Sequence, residues 1–164
     1  MKLIRETTSA DYPVLVEIWE RAVRSSHAFL SEADIAEIRE ALIPQYFPNV
    51  NIYAIEIDRP IHAHENGHDT PPQTGGHTIA GFIGLLDDKI EMLFIDSQYQ
   101  GKGYGTVLID FAVREGAVAV DVNEQNPSAL AFYLSKGFRI VSRDPTDESN
   151  RPFPILHLSR QQIS

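Results

Sequence analysis

An apolar run, Ile90–Ile95, is followed by a glycine-rich turn, Asp96–Gly105 (DSQYQGKGYG), and then by a helical stripe that carries Leu108, Phe111 and Ala112 inward. A strand that gives way to a helix through closely spaced glycines constrains the chain to a sheet carrying helices on its faces. Glycine lets the backbone turn tightly and approach a ligand closely, and the first helical turn leaves amide N–H groups without partners. Such a site favours an anion, phosphate above all. The spacing excludes two common phosphate loops. A dinucleotide fingerprint needs G-x-G-x-x-G, but Thr106 stands where its third glycine belongs, and no G-x-x-x-x-G-K-[ST] run exists. What remains is Q-x-x-G-x-G on Gln100, Gly103 and Gly105, which by itself also fits a plain capping turn.

The rest of the chain alternates between the two periodicities. Lys2–Arg5 reads as a first strand, and Thr8 or Ser9 caps a helix with Asp11 in its first turn. Leu15, Ile18, Trp19, Ala22 and Val23 form the apolar stripe of that helix. A second helix starts at the cap Ser31, carries Ile35, Ile38 and Leu42, and is ended by Pro44. Strands follow at Asn51–Asp58, Thr78–Leu86 and Ile90–Ile95, then a helix at Tyr104–Glu115 and a strand at Ala117–Val122. Asn126-Pro127 opens a helix through Lys136 that Gly137 closes, and Phe138–Ser142 and Ile155–Leu158 are the final strands. The order β-α-α-β-β-β-α-β-α-β-β predicts an α/β (α+β) fold. Its core is a central mixed sheet with helices on its faces, in one domain spanning residues 1–164. Residues 59–77, rich in Gly, Pro and His, read as a flexible exposed loop. His62, His64, His68 and His77 fall there without a helical H-x-x-x-H, so no metal site is expected.

Composition removes several classes of function. Lys and Arg number 14 and Asp and Glu 23, a net charge of −9. That balance suits a cationic acceptor and argues against nucleic acid, whose phosphates need clustered cations. The absence of Cys excludes disulfides, thiolate-held zinc and thiol nucleophiles, an acyl-cysteine intermediate included. No apolar stretch nears the roughly 18 residues of a membrane helix, and no targeting segment is visible, so a cytoplasmic protein without a membrane partner is expected.

Gln100, Gly103 and Gly105, together with Asn126-Pro127-Ser128-Ala129-Leu130-Ala131-Phe132-Tyr133 and Lys136-Gly137-Phe138, resemble the GNAT superfamily of acyl-CoA-dependent N-acetyltransferases. The first group matches [Q/R]-x-x-G-x-[G/A], and the second N-x-x-A-x-x-x-Y-x-x-x-G-F, both at the expected elements. Ile18-Trp19, Ser26–Leu30 and Val122–Asn126 look like a branch of small bacterial acetyltransferases. The resemblance implies a mostly antiparallel twisted sheet of about seven strands with about four helices. It also implies acetyl-CoA as cosubstrate and direct transfer to an amine through a tetrahedral intermediate.

The resemblance further implies where each chemical need is met. Backbone amides of Gly101, Lys102, Gly103, Tyr104, Gly105 and Thr106 would hold the pyrophosphate, beside Gln100. Bulk at Gly103 or Gly105 would then matter more than a changed side chain at Lys102 or Tyr104. Backbone groups of Leu93, Phe94 and Ile95 would pair with the pantetheine arm, and an N–H near Phe94 or Ile95 would steady the oxyanion. Asn126 is a helix cap with a second role as a cofactor contact. Tyr133, protonated at neutral pH, matches the position of the general acid that serves the departing thiolate.

A lysine-like amine, with a pKa of about 10.4, needs a base. Strand alternation places Glu91 on the face of Leu93 and Ile95, where relatives carry an acidic base. His27 and a chain of waters remain alternatives. Trp19, His27 and Phe29 fall where the family lines its acceptor cleft. A domain that binds acyl-CoA without turnover is the competing reading. The acceptor, a small molecule or a protein amine, and the choice of monomer or homodimer stay open.

Overall fold

The computed structural model describes residues 2–59 and 76–160; most of the expected loop at 59–77, with His62, His64 and His68, lies outside the described residues. The strands are β1 (Lys2–Glu6), β2 (Asn51–Asp58), β3 (His77–Leu86), β4 (Lys89–Ile95), β5 (Ala119–Asn123), β6 (Arg139–Asp144) and β7 (Ile155–Ser159). The helices are α1 (Tyr12–Ser26), α2 (Glu32–Ala41), α3 (Tyr104–Arg114) and α4 (Pro127–Ser135). The strands form one seven-stranded sheet in the order β1-β2-β3-β4-β5-β7-β6. Every pairing is antiparallel except β4 with β5, so the expected mixed, mostly antiparallel sheet is present. Among the described residues no helix is long and apolar enough to cross a membrane.

Two cores lie on opposite faces of the sheet. The stripe of α1 (Leu15, Ile18, Trp19 and Val23) packs with Ile35, Phe47 and Phe82 on one face. Leu108, Ile109 and Ala112 of α3 and Tyr133 of α4 pack against Ile83, Ile90, Val120 and Leu158 on the other. Two of the expected caps sit where the sequence puts them, but the first does not: Thr8 precedes a 3₁₀ turn, Ser9–Asp11, and α1 begins only at Tyr12, with Asp11 before it and no side-chain cap. Ser31 accepts from the Asp34 N–H at 3.1 Å, and the Asn126 side chain accepts from the Ala129 N–H at 3.2 Å. Near Pro44 the expectation needs revising. The α-helix ends at Ala41, but the chain continues through a π-turn, Leu42–Tyr46, and a 3₁₀ turn, Phe47–Asn49. A proline ring clashes with the carbonyl four residues back, and a widened turn absorbs that clash without breaking the coil.

The sheet is cut at its centre. β4 and β5 pair only at Lys89–Ala119 and Ile90–Val120, below which the Asp88 carbonyl accepts from Val118 and Ala119 at 2.7 and 3.2 Å. Beyond Ile90, β4 stays with β3 while β5 stays with β7, and a slit opens between them. A register shift between Gly84 and Leu85 leaves Glu91 as the extra residue of β4. Such a bulge bends a strand and increases its twist, which accounts for the divergence beginning there.

Candidate active site

The slit has backbone groups along one wall. The Asp96 N–H donates to the Ala80 carbonyl at 2.8 Å. Alternation along an antiparallel ladder then turns Phe94 toward β3, and turns the N–H and C=O of Leu93 and Ile95 toward the open edge. Gln100 Nε2 lies 3.4 Å from the Ile95 carbonyl and 3.4 Å from Ser25 Oγ, so it ties the glycine-rich turn to both β4 and α1.

At the far end of β4 the turn delivers the N-terminus of α3. Gly103 is the residue before the helix, with φ +86°, and Gly101 has φ +77°, both in the region that only glycine adopts easily. No side chain caps α3, and among the described residues none from Gly101 to Thr106 donates its backbone N–H within the protein. A row of free donors at a positive helix end is an anion cradle. The two flanking glycines differ in kind. A Cβ on Gly103 meets nothing within 4 Å, so its constraint is backbone conformation; one on Gly105 lies 3.5 Å from the Phe132 ring, which is ordinary contact.

Tyr133, on α4, belongs to the core on the α3–α4 side of the sheet, which Leu93 and Ile95 also join. It is 7% exposed and packs edge-on against Phe138, ring centres 5.8 Å apart. Among the described residues no buried side-chain polar atom lacks a hydrogen-bond partner. Among the described residues no hydrogen bond engages the Tyr133 hydroxyl, which is therefore not fully enclosed. Burial pushes its pKa well above the ordinary phenol value, so it stays protonated.

Glu91 occupies the other face, which corrects the expectation that it shares a side with Leu93 and Ile95. Simple alternation fails at the bulge. Ile90, Leu93 and Ile95 face the α3–α4 core, whereas the Glu91 carboxylate lies 3.8 Å from Lys89 Nζ on the opposite face. Burial raises the Glu91 pKa, and Asp121 and Glu148 add to that while Lys89 opposes it. On the same face Lys89 Nζ meets Asp121 at 2.8 Å, and His157 stands between Asp121 and Asp144.

The end of α1 closes the slit from above. Asn126 Nδ2 lies 3.4 Å from His27 Nε2, and His27 Nδ1 lies 2.6 Å from Ser26 Oγ, which itself donates to the Ala22 carbonyl. Asn126 spends its oxygen on the Ala129 N–H, so its amide donates and His27 Nε2 accepts, leaving the proton on Nδ1. Burial lowers the His27 pKa, in keeping with a neutral ring. Both ring nitrogens are thus engaged, and the histidine latches α1 to α4 across the slit. Phe29 sits between His27, tilted against it, and Phe153, edge-on to it, with ring centres 5.2 and 5.3 Å apart, and Arg151 pairs with Glu37 at 2.8 Å. The segment between β6 and β7 thereby leans on α2 and the turn before it, walling the face that holds Glu91. Trp19 is not on that wall. It is 4% exposed in the core beneath α1, because its place on the apolar stripe turns it to the sheet.

Sequence reasoning missed the pair that anchors α1 to the end of β4. Asp96 is 3% exposed and accepts from two of the three Arg21 guanidinium nitrogens, Nε at 3.0 Å and Nη2 at 2.8 Å, and from the Gln98 N–H at 3.3 Å. It also missed Lys89, Asp121 and His157. The available signal was the alternation itself, since Asp121 and His157 are polar residues at every-second positions of apolar strands.

Comparison with known proteins gives concordant results. Residues 56–153 match the model of the acetyltransferase (GNAT) domain. The chain is 31% identical over 156 residues to the peptidyl-lysine N-acetyltransferase YjaB of Salmonella typhimurium, covering 94% of this chain and 95% of that one. It superposes on the solution structure of apo YjaB from Escherichia coli with a TM-score of 0.76 and 29% identity, over 97% of each chain. The fold also matches that of the PaiA N-acetyltransferase from Thermoplasma acidophilum, solved in complex with coenzyme A, with a TM-score of 0.61 and 18% identity over 96% of this chain and 98% of that one.

Proposed function

Because the chain belongs to the GNAT acetyltransferases, we propose that it moves the acetyl group of acetyl-CoA directly onto the side-chain amine of a lysine within a protein. One observation carries this reading: the sheet that parts between β4 and β5 carries a phenol on one face and a carboxylate on the other. The pantetheine arm lies along the free edge of Leu93 and Ile95, with the pyrophosphate on the amides of Gly101–Thr106. The acceptor amine enters from the opposite face, gives up its proton to Glu91 and attacks the thioester carbonyl. A backbone N–H of the open β4 edge stabilises the oxyanion. As the tetrahedral intermediate collapses, the C–S bond breaks, Tyr133 protonates the thiolate, and the second proton leaving the nitrogen as the amide forms restores the phenol. A thiol has a pKa of about 8.5 in water, and the dry surroundings that raise the phenol raise the thiol with it, so the two remain matched. The relatives named for peptidyl-lysine support the acceptor class, as does an acidic body offering Glu91 to a cation.

Incubating the protein with acetyl-CoA and lysine-containing peptides, and following thiol release and peptide mass, tests the proposal. Thiol release with acetylation at the lysine side chain is expected. Acetyl-CoA binding without thiol release from any amine supports the binding-module reading instead.

Two variants probe the halves of the site. Glu91→Gln is expected to lower kcat/KM about 10²-fold at neutral pH and to flatten its fall at acid pH, since the base that titrates there is gone. Gly103→Ala places a side chain at φ +86°. That conformation costs about 1 kcal/mol for an L-residue and re-aims the donors, so acetyl-CoA affinity measured by calorimetry should fall about tenfold. Lys102→Ala should leave it near the parent value, because the cradle is backbone.

A further inference from the structure

A row of charged side chains crosses the acceptor face of the sheet, strand by strand: Glu91 and Lys89 on β4, Asp121 on β5, His157 on β7 and Asp144 on β6. Resting on Glu91 as the base, we propose that Lys89 is a positioning residue of the reaction, holding the Glu91 carboxylate ionised at the slit while Asp121 holds Lys89.

The distances divide the work. Lys89 Nζ is 2.8 Å from Asp121 Oδ2 but 3.8 Å from Glu91 Oε1. The ammonium is therefore bonded to Asp121 and only electrostatically coupled to Glu91, whose oxygens stay open to the amine proton. Asp121 cannot swing away, because its other oxygen lies 2.6 Å from His157 Nδ1. His157 Nε2 in turn lies 2.5 Å from Asp144 Oδ2. Two ring nitrogens that both face carboxylate oxygens at such distances need a hydrogen in each contact, which makes His157 the second cation of the row. The signs alternate from Glu91 to Asp144. Glu91 feels Lys89 from its own strand, Asp121 from β5 and Glu148 from the segment between β6 and β7. The two neighbouring carboxylates would push it toward its neutral form, and Lys89 is the one cation of that set opposing them.

The test is the pH profile of kcat/KM for acetyl transfer to a lysine peptide, measured on the full chain. Lys89→Met removes the cation, so the acid limb should move up by about one pH unit. Asp121→Asn removes an anion, so the limb should move down. Both variants abolish the same ion pair between β4 and β5, and a merely structural role would move them alike. Lys89→Arg should restore the parent limb, and unchanged acetyl-CoA affinity verifies the fold of each variant. Shifts in one direction, or none, while Glu91→Gln flattens the limb would overturn the inference and leave the base assignment standing. A limb that survives in Glu91→Gln overturns both. If Lys89→Met does not fold, the downward shift of Asp121→Asn decides the matter.

Discussion

Tyr133→Phe should lower kcat about 10³-fold and leave acetyl-CoA affinity within about twofold, the signature of a group needed only when the thiolate departs. Among the described residues the hydroxyl makes no hydrogen bond, so its removal strips no partner there and the melting temperature should not fall. The ring, packed against Phe132 and Phe138, is retained by the substitution. Single-turnover thiol release beside calorimetric titration separates the two effects. Unchanged turnover would show that water, rather than Tyr133, returns the proton.

The largest effect on stability should come from Arg21→Ala. Asp96 is almost wholly buried, and its carboxylate is held by Nε and Nη2 of Arg21. Removing the guanidinium leaves a buried charge whose compensation is a single N–H at 3.3 Å, and such losses cost about 3 kcal/mol. For a chain of this size that lowers the melting temperature by about 9 °C. Converting both partners to apolar residues, Arg21→Met with Asp96→Leu, should recover most of it, since no uncompensated charge then remains. Thermal unfolding of the two variants side by side measures the difference. The end of α1 carries His27, and so the single variant should also loosen the latch on Asn126.

Much of this molecule can be read from runs of a few residues. The strand-turn-helix at Ile90–Leu108, the caps Ser31 and Asn126, and the stripe of α1 all appear where local pattern places them. Each rests on interactions within about a helical turn or on the two-residue repeat of a strand. Failures occur where a distant element intervenes. Glu91 is read onto the wrong face because the bulge arises from pairing with Gly84 and Leu85 on β3, and nothing in the run Lys89–Ile95 announces it. Trp19 is read as a cleft residue although the stripe that contains it already points inward. The contact of His27 with Asn126, 99 residues on, is likewise out of reach of any local pattern.

By itself the sequence determined the order of elements, the glycine-rich turn that opens α3 and the family, because these depend on short-range periodicity, on capping and on glycine's freedom at positive φ. Tertiary structure alone decided which face of the slit each working group occupies. Lys89 meets Asp121 across 32 residues, Asp121 meets His157 across 36, and Arg21 meets Asp96 across 75. Contacts of that span form only once the sheet has set its strand order and register. A bulge of one residue is then enough to send the Glu91 carboxylate to the face opposite Leu93 and Ile95.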